Sequence, residues 1–170
     1  MSTVLNFGQE DTTFVTIHDM KHMLLSHFRG ITRYIKFVYF SDTHPQNQTI
    51  RYDPNDTKHL EIHEDGVFRH VPNEYILDTI IMDAWHKLVG CYNHIEVCGK
   101  LETFKNSLVS PETFERIEDF VSEYHKLCHG IAPSSLQDIR QDVLEMIRLH
   151  SIELAKKAEK KKDKKRSTKN

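Results

Sequence analysis

Apolar residues recur at helical spacing along most of the chain. Thr16 precedes Ile17, Met20, Leu24 and Phe28, and Asp19 stands three positions after it, close to a capping box. Gly30 interrupts, and Ile31, Ile35 and Val38 resume the pattern with Tyr34 and Phe37 beside them. The spacing predicts two packed helices, roughly 16–28 and 30–40. The run Phe37–Phe40 is also strand-like, so the second helix has no clear end. Residues 41–57 are rich in turn formers, with an extended piece at Thr49–Tyr52.

The period then changes from helical to alternating. HLEIHE and VFRHV flank Asp65-Gly66, a dipeptide suited to a two-residue type I′ turn. That turn sets Glu64 opposite Val67, Ile62 opposite Arg69 and Leu60 opposite Val71. Leu60, Ile62, Val67 and Val71 then share the face expected in the core. His59, Glu61, His63, Phe68 and His70 share the other.

Helical periodicity returns after Pro72, with Asn73 as the expected N-cap of a long helix to about Glu96. Its wide apolar face, from Ile76 through Trp85 to Ile95, marks it as the central helix. Ser110-Pro111 opens the next, with Phe114, Ile117, Val121, Tyr124 and Cys128 as its stripe and Gly130 as its stop. Pro133-Ser134, with Gln137 completing a capping-box pattern, opens the last, whose apolar edge ends at Leu154. Beyond Leu154 the helix either continues as a solvated rod through Lys165 or frays. The expected fold is α+β and mainly helical: five to six helices around one core, one β-hairpin at about 58–71, and a basic C-terminal tail.

Composition changes the picture through charge. The 170 residues carry a formal charge of −2, which conceals a division. Residues 156–170 hold nine Lys/Arg and two acids, a net of +7, leaving −9 on residues 1–155. An acidic globular domain, 1–155, is thus joined to a basic tail, 156–170, and such asymmetry concerns partners rather than fold. No apolar run is long enough for a transmembrane helix, and the N-terminus lacks the basic and apolar regions of a secretory signal. Three cysteines do not make a disulfide scaffold, so a reducing, intracellular compartment is expected. Gly-rich phosphate loops, nucleophile elbows and Walker patterns are all missing, and no enzyme activity, cofactor or bound metal is expected.

The tail offers Lys156, Lys157, Lys160, Lys161, Lys162, Lys164, Lys165, Arg166 and Lys169. Lysines so spaced neutralise phosphates and release counterions without reading sequence. With no aromatic residue the tail cannot stack on bases, which argues against single-strand specificity. Nonspecific nucleic-acid tethering and nuclear localisation are one reading. A solubilising terminus, or one that pairs with the acidic body of its own or a neighbouring chain, is the other.

Other constellations are thinner. Cys91, His94 and Cys98 close the long helix, and His125, Cys128 and His129 close the next. If those helix ends met, they would offer tetrahedral zinc ligands, the basis of an alternative reading as a zinc-dependent DNA-processing or regulatory factor. Against it, Cys91 and Cys128 lie on apolar stripes, where cysteine acts as a small hydrophobe. The hairpin face with His59, Glu61, His63 and His70 reads as a solvated sheet surface before it reads as a metal site. Glu10 and Asp11 read as a turn ahead of a helix rather than as an acid/base pair. The His44-Pro45-x-Asn47 segment lacks the second histidine that a His/Asn nuclease loop needs.

One ordered set of motifs remains. NFGQED at Asn6–Asp11 is followed by Ile31, Ile35, Lys36, Tyr39 and Phe40, then by Pro45, Asn47 and Ile50, then by Asp65 and Gly66. Over roughly residues 5–125 this resembles a domain of many proteins of nucleocytoplasmic large DNA viruses, with an N-F-G-x-E-D start, I-Y-F-N, P-E-N-H-N-I and a D-G hairpin usually bearing Trp. Here Gln46-Asn47-Gln48-Thr49 replaces the E-N-H-N stretch, and Phe68 replaces the tryptophan. Members often carry a zinc-finger-like segment ahead of the domain, and none is expected here. The resemblance implies a viral origin and an intracellular module working near viral DNA or in the virion, and it supplies no catalytic residue.

The expected function is therefore a non-enzymatic viral accessory or virion-associated protein of the host cytoplasm, nucleus or particle. Its body would make contacts with other viral proteins. Its tail would bind nucleic acid or an acidic protein surface. Paired last helices would make it a homo-oligomer, with two basic tails side by side.

Overall fold

The computed structural model describes residues 3–167, with side chains as far as Lys165. The chain is α+β and mainly helical. Its elements are α1 (Ile17–Leu24), α2 (Phe28–Tyr39), a 3-10 turn (Pro45–Asn47), β1 (Ile50–Tyr52), β2 (His59–Glu64), β3 (Val67–Pro72), α3 (Asn73–Val97), α4 (Leu101–Asn106), α5 (Pro111–Cys128) and α6 (Leu136–Ser167).

Local chemistry accounts for most boundaries. The Thr16 hydroxyl accepts from the Asp19 N–H, and the Asp19 carboxylate accepts from the Thr16 N–H and hydroxyl, a complete capping box for α1. These bonds, the hydroxyl's first, hold Asp19 below its ordinary 3.8. A depressed carboxylate contributes stability above its unfolded pKa, and loses it as pH falls through its folded one. The difference in urea midpoint between wild type and Asp19→Asn should therefore be full at pH 6 and close as pH drops below 3.8.

The break between α1 and α2 falls at His27, which takes a positive φ of 42°, and not at Gly30. Gly30 lies inside α2 for another reason. A Cβ there would stand 2.3 Å from the Met23 carbonyl oxygen, so glycine lets the two helices close up. Asn73 is likewise no cap. Its amide donates to the Thr57 carbonyl at 2.8 Å, which ties the start of α3 to the strand approach. The Ser110 hydroxyl bonds Thr113 Oγ1 rather than a backbone N–H, and α6 opens at Leu136, just past the predicted Pro133-Ser134 start.

The hairpin has the predicted register, with Glu64 opposite Val67, Ile62 opposite Arg69 and Leu60 opposite Val71. Asp65 and Gly66 have φ of 50° and 85°, as a type I′ turn requires. Two details differ. The extended piece becomes a third antiparallel strand, β1, with Ile50 opposite Ile62. Val67, expected in the core, is 52% exposed at the hairpin tip, beside the Asp65-Gly66 turn. One buried cluster joins all the layers around α3, with Trp85 fully buried in it and Ile139, Val143 and Ile147 of α6 against it. Among the described residues no helix is long and apolar enough to cross a membrane.

Candidate nucleic-acid interface

α6 is half core and half arm. Ile139, Val143, Met146 and Ile147 are buried, and the Ser151 hydroxyl accepts from the Tyr52 N–H at 3.0 Å. Past Leu154 the apolar stripe ends, yet the helix continues, with every side chain from Ala155 to Lys165 exposed. At 3.6 residues per turn, Lys156, Lys160 and Lys164 form one row and Lys157, Lys161 and Lys165 its neighbour. Glu159 and Asp163 fall together on a third row that borders the Lys156–Lys160–Lys164 row, three residues from Lys156 and Lys160 respectively. The ten residues Lys156–Lys165 extend about 15 Å. Lys162 lies away from the two rows, Arg166 is within α6, and Lys169 lies outside the described residues.

At the root of the arm, Lys157 Nζ is 3.1 Å from the Asp42 carboxylate, both side chains being well exposed. An exposed pair of this kind contributes little and yields readily to a stronger anion. Lys36, Phe40, His150 and Leu154 surround it.

The two Cys/His sets do not meet. α5 returns along α3, so that Phe120 and Tyr124 pack on Trp85, and Tyr124 shares a 2.7 Å hydrogen bond with His86. His125, Cys128 and His129 therefore lie near the middle of α3, about 12 Å along the helix from His94. Cys91 is buried, Cys98 faces His94 at 3.6 Å, and Cys128 is exposed rather than part of an apolar stripe.

The polar sheet face is also divided. His63 is buried beneath the N-terminal segment, with Nδ1 bonded to the Leu5 carbonyl at 2.8 Å. His59 bonds Asp56. His70 Nε2 stands 3.2 Å from Asp53 and 3.9 Å from Glu61, and these three are the one set of metal-ligating side chains that converge among the described residues. An exposed histidine between two carboxylates is equally an ion-pair cluster, and sequence had grouped Glu61 and His70 without Asp53.

The NFGQED segment is a strap. Asn6 exchanges hydrogen bonds with Asp65, and the Phe7 N–H donates to the His63 carbonyl. Glu10 accepts from the Gly8 N–H and the Thr49 hydroxyl, and burial, its largest influence, pushes its carboxyl up. Asn47, fully buried, clamps Asp11 by accepting from its N–H at 3.0 Å and donating to its carbonyl at 2.7 Å. The Asp11 carboxylate accepts from the Thr13 N–H and hydroxyl.

A cavity of about 490 Å³ lies between α1, the end of α3 and α4, with Leu25, Ile95, Phe104 and Leu108 in its wall. Its two histidines, His18 and His22, bond each other at 3.2 Å. Positive charge gathers elsewhere on the body. α2 carries Arg29, Arg33 and Lys36 and no acid. Their i, i+4, i+7 spacing was legible in the sequence but masked there by the apolar residues between them.

No family model, curated protein or solved structure matches the chain.

Proposed function

We propose that this protein is a non-enzymatic accessory module that binds nucleic acid without reading base sequence, through the basic arm of α6. The observation that carries the reading is the sorting of six exposed lysines into two adjacent rows on a helix anchored in the core. A rod held at one end presents its charges at fixed spacing, so fewer degrees of freedom are lost on binding than for a free tail. The charges suit phosphates and offer no bidentate or stacking contact to bases. The motif order of Asn6–Asp11, Asn47 and Asp65-Gly66 supports a place among the large-DNA-virus modules, acting in the host cytoplasm, nucleus or virion beside other viral proteins. The Cys/His zinc reading has lost its support, because its two halves are apart.

The test is a salt series on a labelled DNA duplex with the full chain. Gln has a helix propensity close to that of Lys, so Lys160, Lys161, Lys164 and Lys165→Gln keeps the helix and removes four charges. The slope of log K against log salt should become shallower by about 3 to 4, and affinity at 50 mM salt should fall by about a hundredfold. An unchanged slope and affinity would overturn the reading.

A further inference from the structure

The acidic body is not uniformly acidic. Arg29, Arg33 and Lys36 lie on one exposed face of α2, spanning about two turns, or about 10 Å. Arg116 reaches the same place from α5. Arg29, Arg33 and Arg116, with Ser26 and His27, line a cavity of about 370 Å³ that has no carboxylate in its wall. Arg33 and Lys36 then line a second hollow with Phe37, Phe40 and Ser41. Lys36 lines a third, which also contains Lys157 of the arm. Shared walls make these hollows a continuous path from Arg116 across α2 to the root of α6.

The charges on this path differ from several of the body's other cations in having no carboxylate partner, and from the remaining unpaired ones in lining shared hollows. Arg69, Lys126, Arg140 and Arg148 each pair with a carboxylate. Among the described residues Arg29, Arg33, Lys36 and Arg116 form no ion pair. Burial first, then the guanidinium charges of Arg116 and Arg29, draws His27 down from its ordinary pKa, so both fields converge on that ring. Acids stand at both ends of the path. Glu112 and Asp119 lie one turn to either side of Arg116 on α5, with Glu115 next to it, while Asp42 and Glu153 line the third hollow, engaged with Lys157 and His150. Like charges gathered in two hollows whose walls hold no carboxylate, on a body of net −9, focus the local potential toward an anion.

We infer that Arg116, Arg29, Arg33 and Lys36 form a phosphodiester-binding track on the folded body, contiguous with the basic arm, which together with the arm holds the backbone of a nucleic-acid duplex. This rests on the proposed nucleic-acid function and extends it from the arm to the body. Two turns of α2 match about three phosphates along one strand. The Lys157–Asp42 contact closes the gap between track and arm, so a strand leaving Lys36 meets Lys157 next.

The experiment compares full-length chains on a labelled 24-base-pair duplex over a salt series. The variants are Arg29, Arg33, Lys36 and Arg116→Gln, the four-lysine arm variant, and their combination. All four track positions are exposed and unpaired, so the substitutions should leave the melting temperature nearly unchanged. The track variant should lose about 3 in slope and at least tenfold in affinity, and the combination should lose about the sum of the two single-variant slope changes. A track variant that binds like wild type overturns the inference and leaves the arm reading standing. Loss in the track variant with none in the arm variant supports the track and overturns the arm reading. If a 24-nucleotide single strand binds more tightly than the duplex, the duplex assignment falls. Displacement of the duplex by polyglutamate at equal charge concentration would show an acidic-protein surface instead, and would overturn the inference as well.

Discussion

Asn47→Ala is expected to lower stability by about 3 kcal/mol and to open residues 3–15 to protease. The side chain is fully buried, and both ends of its amide are bonded to the Asp11 backbone. Truncation leaves a donor and an acceptor of Asp11 without partners, and each unpaired buried group costs about 1–3 kcal/mol. The loss spreads, because the strap is a sequence of such ties. Glu10 reaches Thr49, Phe7 reaches His63, and Asn6 reaches the Asp65 turn. Asn47→Asp should be no better at neutral pH. A carboxylate keeps the acceptor for the Asp11 N–H, loses the donor to its carbonyl, and places charge in a site without counter-charge. Urea denaturation gives the loss of stability, and limited chymotrypsin digestion, which can cut at Leu5, Phe7 and Phe14, shows whether the N-terminal segment is released first. An unaltered urea midpoint in Asn47→Ala would show that the clamp is not a structural tie.

Periodicity and turn chemistry explain why so much of this fold is readable in its residues. The hairpin register follows from Asp65-Gly66, because a two-residue turn leaves only one pairing for strands of alternating pattern. The Thr16–Asp19 box, Pro111 at the first turn of α5 and Gly130 after its end are local signals with local causes. The failures are tertiary. Gly30 looks like a break from sequence, but its lack of a side chain serves the approach of Met23, which no local pattern reveals. β1 has only three residues, and its strand character comes from Ile50–Ile62 pairing rather than from its own propensity.

The binding surface divides in the same way. The arm was legible because its charges are consecutive and end an apolar stripe. The track was not, because Arg116 lies eighty residues from Lys36 and only the packing of α5 beside α2 joins them. The net of −9 on residues 1–155 averaged away the four cations of this path. The anticipated competition between body and arm takes a specific form in Lys157 and Asp42, at the root of the arm, where it leaves the outer lysine rows facing outward.

Trp85→Ala should have the largest effect, a loss of about 3–5 kcal/mol, and a functional effect that follows from geometry. Trp85 is fully buried, and its indole N–H donates to the Phe120 carbonyl at 3.0 Å. Its ring packs on Phe28 at 5.9 Å and Phe120 at 5.5 Å, and those two rings meet each other at 5.5 Å. Alanine leaves a cavity surrounded by aromatic faces that cannot collapse without moving α5, and it leaves a buried carbonyl without its donor. Phe28 precedes Arg29 in α2, and Phe120 stands one turn after Arg116 in α5. The aromatic triad therefore sets the separation of the two ends of the basic track. Trp85→Phe keeps the aromatic packing and loses the donor, so it should cost less than half as much. For each variant, urea denaturation gives the stability and the duplex salt series gives the slope under conditions where the chain is folded. Trp85→Ala should lose the contribution of Arg116 to that slope while keeping that of the arm, since α6 makes its main contacts with α2, β1 and α3 rather than with α5. A Trp85→Ala protein that is destabilised yet retains the full wild-type slope would show that Arg116 and Arg29 act independently of the packing between them.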